Sequence, residues 1–287
     1  MKRVANIIEC PRDAMQGIKE FIQTEKKIKY IQSLLSCGFH SIDFGSFVSP
    51  KAIPQMADTV EVLEGLDLSK TSSKLLAIVA NARGIEQAAS FKPITYLGFP
   101  LSLSETFQHR NTNASIADAL LIVDFLSDTC AKTNKTPVVY LSMGFGNPYG
   151  DEWNTDIVLK FSEIMFQKGI QIISLADTIG IAQPEHISYL FDALIPAYTN
   201  IEFGAHFHTT PNTWEEKIDA AWQSGCSRFD GAIKGYGGCP MATDDLTGNM
   251  PTEKMLSYFQ KNNIETGVDD LNFTQAMMAS SLVFDHI

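Results

Sequence analysis

Apolar positions along the chain follow two alternating periods. Short β-branched runs of four to seven residues are separated by longer stretches in which apolar residues recur at helical spacing. Residues 4–9 form the first run, and residues 24–37 follow with Ile28 and Ile31 on one helical face. Gly38 comes next, at the position that a glycine takes after a helix. The pattern therefore predicts strands and helices in strict alternation.

This alternation predicts eight strands and a helix in most of the gaps between them. The predicted strands span 4–9, 41–44, 75–80, 95–99, 138–143, 170–176, 201–206 and 228–232. The predicted helices span 24–37, 54–65, 84–91, 115–135, 155–168, 185–197, 213–225, 252–260 and 273–286, with Asn212 as the N-cap of the seventh. Strands joined by helices must run parallel.

Eight such units in 287 residues favour a closed (β/α)8 TIM barrel, in the α/β class, over an open sheet. The strand runs are continuously apolar, which is typical of strands covered on both sides. No linker, internal repeat or block of like charge divides the chain. We therefore expect a single catalytic barrel domain over residues 1–287, covered by the last two helices.

The net charge and the cysteines limit the kinds of binding partner and the cellular compartment that we expect. The 22 Lys and Arg residues against 33 Asp and Glu residues give a net charge of −11, which disfavours nucleic acids and anionic membranes. No apolar run approaches the roughly 20 residues that span a bilayer. The five cysteines are scattered, and the first residues lack the pattern of a secretory signal, so we expect a reducing, cytoplasmic setting.

Polar residues fall where the predicted strands end, which in a barrel is the catalytic rim. They are Arg12 and Asp13 after strand one, Asp43 in strand two, Asp177 after strand six, and His206 and His208 at the end of strand seven. A glycine-rich loop, GYGGCP at 235–240, follows strand eight. Closure of the barrel would bring these residues to one site.

His206 and His208 are two residues apart, so on a strand both imidazoles face the same side. With a carboxylate from another strand they can hold Mg²⁺, Mn²⁺ or Zn²⁺; the alternative is a hydrogen-bonded histidine pair without a metal. Asp13 and Asn249 on the same rim favour the metal.

Arg12 is either a structural partner of an acid or a fixed cation for a developing oxyanion. Asp43, buried in a barrel strand, needs a partner, and Arg12 is the nearest candidate. Cys239, between glycines and a proline, is either an ordinary loop thiol or an acid, base or nucleophile on a loop over the site.

These residues resemble the 3-hydroxy-3-methylglutaryl-CoA lyase family, within the metal-dependent lyase and Claisen-condensing barrel superfamily. The resemblance runs nearly end to end. It is carried by Pro11-Arg12-Asp13, SFVSPKAIPQM at 46–56, SLADTIG at 174–180, the His206/His208 pair, and GGCP at 237–240 through Asn249. The SFVSPK run and the GGCP loop indicate the lyase branch.

The resemblance implies a metal-dependent cleavage of 3-hydroxy-3-methylglutaryl-CoA to acetyl-CoA and acetoacetate, as in leucine degradation, by a homodimer. It implies that Mg²⁺ or Mn²⁺ is bound by Asp13, His206, His208 and Asn249. Arg12 would stabilise the enolate, Cys239 would act in acid–base chemistry, and Asp13 or His206 would be the base. Gln16, Asp43 and Asp177 match further functional positions, as Lys19 also does.

Three other functions compete with this one. A condensing enzyme of the isopropylmalate, homocitrate or citramalate synthase type runs the reverse carbon–carbon chemistry with a similar metal site. An aldolase acting on a free hydroxy-keto acid would need no CoA. A barrel that only binds a partner would not need Arg12, Asp13, His206, His208 and Cys239 together.

Overall fold

The computed structural model describes residues 3–238 and 247–284. Eight parallel strands pair with their sequence neighbours, and β8 pairs with β1 to close the barrel. The strands are β1 Asn6–Glu9, β2 Ser41–Ser46, β3 Lys74–Ile78, β4 Ile94–Ser102, β5 Thr136–Ser142, β6 Ile172–Asp177, β7 Glu202–Thr209 and β8 Arg228–Gly231. The predicted fold class is confirmed, and each predicted strand overlaps an observed one.

Helices cover the outside of the barrel. They are α1 Pro11–Gln16, α2 Thr24–Leu35, α3 Thr59–Glu64, α4 Ala82–Ser90, α5 Glu105–Thr112, α6 Ile116–Thr133, α7 Thr155–Gln167, α8 Pro184–Ala197, α9 Trp214–Gln223, α10 Thr252–Lys261, α11 Asp270–Ala279 and α12 Ser281–Phe284. The sequence pattern did not predict α1 or α5, which are too short to show a helical period. No helix in the described ranges is long and apolar enough to cross a membrane.

Three predicted helix boundaries are wrong. The predicted helix 54–65 is a 3-10 turn, Pro54–Met56, followed by α3, because the backbone of Asp58 leaves the helical region between them. The predicted helix 273–286 is divided into α11 and α12 at Ser280, and its last residues lie outside the described part of the chain. Asn212 does not cap α9; Thr213 occupies the N-cap, and its hydroxyl accepts a hydrogen bond from the Thr210 amide instead.

Apolar side chains fill both faces of the strands. Along β3, Leu76 and Ile78 belong to an inner cluster with Tyr96 and Tyr140, whereas Leu75 and Ala77 pack outward against the helices. This alternation explains why the strand runs read as continuously apolar in the sequence.

A ninth strand, β9 Gly248–Asn249, pairs antiparallel with the end of β7. It places Asn249 opposite His208, at the carboxyl rim of the barrel.

Candidate active site

The carboxyl rim of the barrel opens into a cavity of about 490 Å³. Among the side chains that line it are six that the sequence analysis singled out: Arg12, Asp13, Gln16, Asp43, His206 and His208. They come from α1, β2 and the second half of β7. Barrel closure therefore brings together residues that are up to 196 positions apart in the chain (12 and 208).

Arg12 is the centre of a buried ion network. Its Nε and Nη2 donate to Asp43 Oδ2 at 3.0 and 2.5 Å, and its Nη1 donates to Asp13 Oδ1 at 3.0 Å and Gln16 Oε1 at 2.9 Å. Burial alone would lower the pKa of Arg12, but the charges of Asp43 and Asp13 outweigh it and raise that pKa. These bonds fix the guanidinium in place. One of its five hydrogens, on Nη2, has no partner in the described residues and remains available as a donor.

Asp13 is held from three sides. Gln16 donates to its Oδ1 at 2.6 Å, and Asn249 donates to its Oδ2 at 2.8 Å. Burial would raise the pKa of Asp13, but the charge of Arg12, with smaller contributions from the two histidines, lowers it below its ordinary value. The carboxylate is therefore ionised at neutral pH. The amide nitrogen of Asn249 also donates to the Tyr236 carbonyl at 2.8 Å, which leaves the amide oxygen as the group available to a cation.

The two histidines are each oriented through Nδ1. His206 Nδ1 lies 3.0 Å from Asp230 Oδ2, and His208 Nδ1 lies 3.2 Å from the Thr247 carbonyl oxygen. Burial lowers the pKa of His208; for His206 the hydrogen bond and charge of Asp230 outweigh burial and raise the pKa. Because both Nδ1 atoms face acceptors, both Nε2 atoms remain for a ligand.

These contacts fit a metal ion. The ligand atoms of Asp13, His206 and His208 lie within 4.8 Å of one another. Metal sites in proteins commonly use two imidazoles and an ionised carboxylate as ligands. In such sites the second nitrogen of each imidazole is hydrogen-bonded, as it is here. The ligand atoms of a second group, Cys10, His206 and Asp230, also lie within 4.8 Å of one another, but burial raises the pKa of the Cys10 thiol well above its ordinary value. The Asp13 group is the one that opens to the cavity.

Asp177, predicted to support the substrate, does not line the cavity. It is the last residue of β6, and its neighbours Ala176 and Thr178 line the cavity, whereas its own carboxylate points to the helix side. There it accepts a hydrogen bond from Lys217 Nζ at 2.6 Å. Strand alternation explains the difference, since successive side chains point to opposite faces.

Two other predicted residues, Asn249 and Lys19, do not line the cavity. Asn249 is buried and reaches the site through its hydrogen bond to Asp13. Lys19 is exposed just after α1 and does not line the cavity. Cys239 lies outside the described residues. The chain leading to it passes over the site, because a side-chain carbon on Gly237 would lie 2.7 Å from Asn249 Nδ2 and 2.8 Å from the Asp13 carbonyl oxygen. Only glycine allows that approach, at a φ of +93°.

Asp230 is a site residue that was not predicted from the sequence. It lies on β8 two residues after Arg228, and its carboxylate fixes His206 from inside the barrel. The available signal was the strand period of two, which places Arg228 and Asp230 on the same face of β8. Nothing in the sequence indicated that Asp230 contacts a histidine.

The fold and the site define a (β/α)8-barrel enzyme with an imidazole–carboxylate metal group and a buried arginine at its carboxyl rim. A family model described as HMGL-like matches residues 6–283. The chain belongs to the HMGL-like family, and the lyases to which it is similar show that it is a carbon–carbon lyase.

Individual relatives agree with the family. The hydroxymethylglutaryl-CoA lyase YngG of Bacillus subtilis is 36% identical over 258 residues, which cover 90% of this chain and 85% of that protein. The mitochondrial hydroxymethylglutaryl-CoA lyase of Homo sapiens is 31% identical over 270 residues, which cover 93% of this chain and 82% of that protein. The Pseudomonas aeruginosa 3-hydroxy-3-isohexenylglutaryl-CoA/hydroxymethylglutaryl-CoA lyase is 31% identical over 268 residues, covering 93% and 88%.

Solved structures show the same barrel. The HMG-CoA lyase of B. subtilis superposes with a TM-score of 0.90 at 33% identity, covering 98% of this chain and 94% of that one. The HMG-CoA lyase of Acinetobacter baumannii, solved with coenzyme A and 3-methylmalate, superposes with a TM-score of 0.89 at 28% identity, covering 98% and 91%. The carboxyl transferase domain of Rhizobium etli pyruvate carboxylase shares the fold at 16% identity and a TM-score of 0.73.

Proposed function

We propose that this chain is a hydroxymethylglutaryl-CoA lyase, which cleaves 3-hydroxy-3-methylglutaryl-CoA to acetyl-CoA and acetoacetate with the help of Mg²⁺ or Mn²⁺. The observation that carries the proposal is one buried cavity in which a fixed guanidinium, Arg12, adjoins Asp13 and the two histidines. An enolate-forming cleavage needs a cation for the oxyanion beside a group that takes the hydroxyl proton. The similarity to several hydroxymethylglutaryl-CoA lyases favours this lyase over a condensing enzyme.

Asp13, His206, His208 and Asn249 are the residues that would hold the cation. When bound, the cation supplies a Lewis acid for the hydroxyl and carboxylate oxygens of the substrate. The two imidazoles and the carboxylate leave coordination positions free for such oxygens.

We expect Asp13 or His206 to take the proton of the tertiary hydroxyl. His206 can act in this way only where its Nε2 does not bind the cation, because its Nδ1 hydrogen is held by Asp230. Once that proton leaves, the hydroxyl oxygen becomes the ketone oxygen of acetoacetate. The bond to the thioester α-carbon then breaks, and its electron pair forms the thioester enolate. Asp230 keeps the His206 ring oriented throughout, because its carboxylate accepts the Nδ1 hydrogen.

Arg12 stabilises the enolate oxygen through its charge and its remaining Nη2 hydrogen. Asp43 and Gln16 hold the guanidinium so that it does not have to reorganise as charge develops. Because Arg12 is only 8% exposed, its charge is poorly screened by water.

Cys239 donates the proton that converts the enolate to acetyl-CoA. The close passage of Gly237 over Asp13 and Asn249 supports this role, since Cys239 follows only two residues later. Gly237 has a φ of 93°, in the left-handed region that favours glycine, and this conformation lets the backbone pass so close to Asp13.

The similarity to hydroxymethylglutaryl-CoA lyases supports an acyl-CoA substrate, a place in leucine degradation and a homodimer. The scattered cysteines favour a cytoplasmic location. Light scattering of the purified protein measures the assembly, and a mass near twice 31.7 kDa is expected.

The test of the reaction is an assay of the purified protein with two substrate sets. With 3-hydroxy-3-methylglutaryl-CoA and Mg²⁺ we expect acetoacetate to appear. With acetyl-CoA and a panel of 2-oxo acids we expect no release of free CoA. CoA release in the second reaction and no cleavage in the first would make the chain a condensing enzyme. Cleavage of a CoA-free hydroxy-keto acid alone would make it an aldolase.

A further inference from the structure

A buried lysine on the outer helix α9 forms hydrogen bonds to the ends of two barrel strands. Lys217 is 1% exposed, and its ammonium donates to three acceptors: Asp177 Oδ2 at 2.6 Å, the Gly180 carbonyl at 2.9 Å and the His208 carbonyl at 3.0 Å. An ammonium has three hydrogens, so every donor is used. One charged group therefore joins the end of β6, the loop after it and the end of β7.

Both carboxylate oxygens of Asp177 also accept hydrogen bonds from the chain that follows β6. Asp177 Oδ1 accepts from the Ile181 amide at 2.8 Å, and its Oδ2 accepts from the Ala182 amide at 3.1 Å as well as from Lys217. A buried ion pair in which every donor hydrogen and both carboxylate oxygens are hydrogen-bonded has a fixed geometry. The end of β6 is thus a rigid support.

His208 depends on that support more than the residues before it in β7 do. Parallel pairing with β6 ends at Asp177 opposite Phe207, and parallel pairing with β8 ends at Asp230 opposite His206. His208 lies beyond both ladders. Its backbone is held by the short strand β9, through pairing with Asn249, and by Lys217.

The imidazole of His208 is tied to the same support. Its Nδ1 contacts the Thr247 carbonyl, and the Thr247 hydroxyl donates to the Ile179 carbonyl at 3.2 Å, in the loop that Lys217 holds at Gly180. A side-chain carbon on Gly180 would lie 2.4 Å from Thr247, so this loop packs directly against it. Lys217 therefore acts on both the backbone and the ring of His208.

We propose that Lys217 is a positioning residue that sets the metal-binding geometry of His208 from outside the cavity, an inference that rests on the metal site of the proposed function. Lys217 does not line the cavity and touches no reacting atom. Its contribution is to hold a ligand that the barrel ladders do not reach. Groups that orient a metal ligand in this way typically change metal affinity about 10- to 100-fold when they are removed.

The test compares two buried Lys–Asp pairs of the same length. Lys217→Met alone would leave the Asp177 carboxylate buried without a cation. The test variant is therefore the double Asp177→Asn/Lys217→Met, which removes both charges. The matched control is Asp58→Asn/Lys27→Met, because Lys27 Nζ also lies 2.6 Å from its buried partner, Asp58 Oδ1, but joins α2 to the 3-10 turn Pro54–Met56. For each protein the Kd for Mn²⁺ is measured by titration calorimetry, and stability by urea unfolding of the metal-free form.

We expect both double variants to lose stability, and only Asp177→Asn/Lys217→Met to raise the Kd for Mn²⁺, by about 10- to 100-fold. An unchanged Kd in that variant, or an equal rise in the control, would overturn the inference, since the effect would then be absent or merely structural. Failure of the wild-type protein to bind Mn²⁺ would overturn the metal site itself and this inference with it.

Discussion

Glu9 offers a quantitative test of how the site is anchored. It is fully buried at the end of β1, where its Oε1 accepts from the Ile233 amide at 2.9 Å and its Oε2 accepts from the Thr252 hydroxyl at 2.6 Å. Ile233 and Thr252 bracket the segment that carries Gly237 and Asn249. Glu9 thus fastens both ends of the chain that passes over the site.

Burial raises the pKa of Glu9 from 4.5 to about 8, and its two hydrogen bonds offset only part of that rise. The folded protein therefore holds a proton that the unfolded chain releases at much lower pH. The stability that this proton contributes is fully present below pH 4.5 and is lost as the pH rises through about 8. Over that window the free energy of unfolding falls by about 1.4 kcal/mol per pH unit, which amounts to roughly 4 kcal/mol between pH 5 and 8.

The perturbation is Glu9→Gln, which keeps a neutral hydrogen-bonding group at the same position. Urea unfolding of wild type and variant is measured at pH 5, 6, 7 and 8, with exposed Glu64→Gln as the control. We expect the stability of Glu9→Gln relative to wild type to rise steadily with pH, and that of Glu64→Gln to stay level. Parallel pH curves for wild type and Glu9→Gln would refute the reasoning, because Glu9 would then be ionised in the fold.

Three further substitutions test the site itself. Arg12→Gln should lower the turnover number about 10²-fold or more and change KM far less, since the lost interaction acts on the enolate; steady-state kinetics at saturating Mg²⁺ measures this, and near-normal turnover would make Arg12 a structural residue only. Asp230→Asn should weaken Mn²⁺ binding about 10- to 100-fold by titration calorimetry, because His206 loses the carboxylate that orients it, and an unaltered Kd would contradict that role. Cys239→Ser should cost about 10²- to 10⁴-fold in rate while Mn²⁺ still binds; alkylation of Cys239 that leaves full activity would exclude it as the proton donor.

The barrel could be predicted from the sequence because its strands are covered on both faces. Each strand is therefore a continuous apolar run in the sequence. The pairing of Arg12 with Asp43 could be predicted as well, since a charge in a barrel strand must find a partner nearby. The spacing of His206 and His208 placed both rings on the cavity side for a geometric reason, the strand period of two.

Other parts of the site depend on tertiary geometry that no local pattern encodes. Asp177 looks like a rim carboxylate until the strand register shows it pointing outward, to a lysine that lies 40 residues away. A lysine on the apolar face of α9, next to Ile218, was a signal that this helix buries a charge. The antiparallel pairing of β9 spans only two residues, too few for a periodic pattern to predict.

The central claim is that the chain cleaves its substrate through a bound divalent cation. The most direct measurement is product release from 3-hydroxy-3-methylglutaryl-CoA by protein freed of metal with a chelator, before and after Mn²⁺ or Mg²⁺ is added back, with acetyl-CoA and acetoacetate both quantified. We predict no turnover without metal, and equimolar acetyl-CoA and acetoacetate when the metal is restored. Full turnover in the chelated protein, or no cleavage with either metal, would contradict the account.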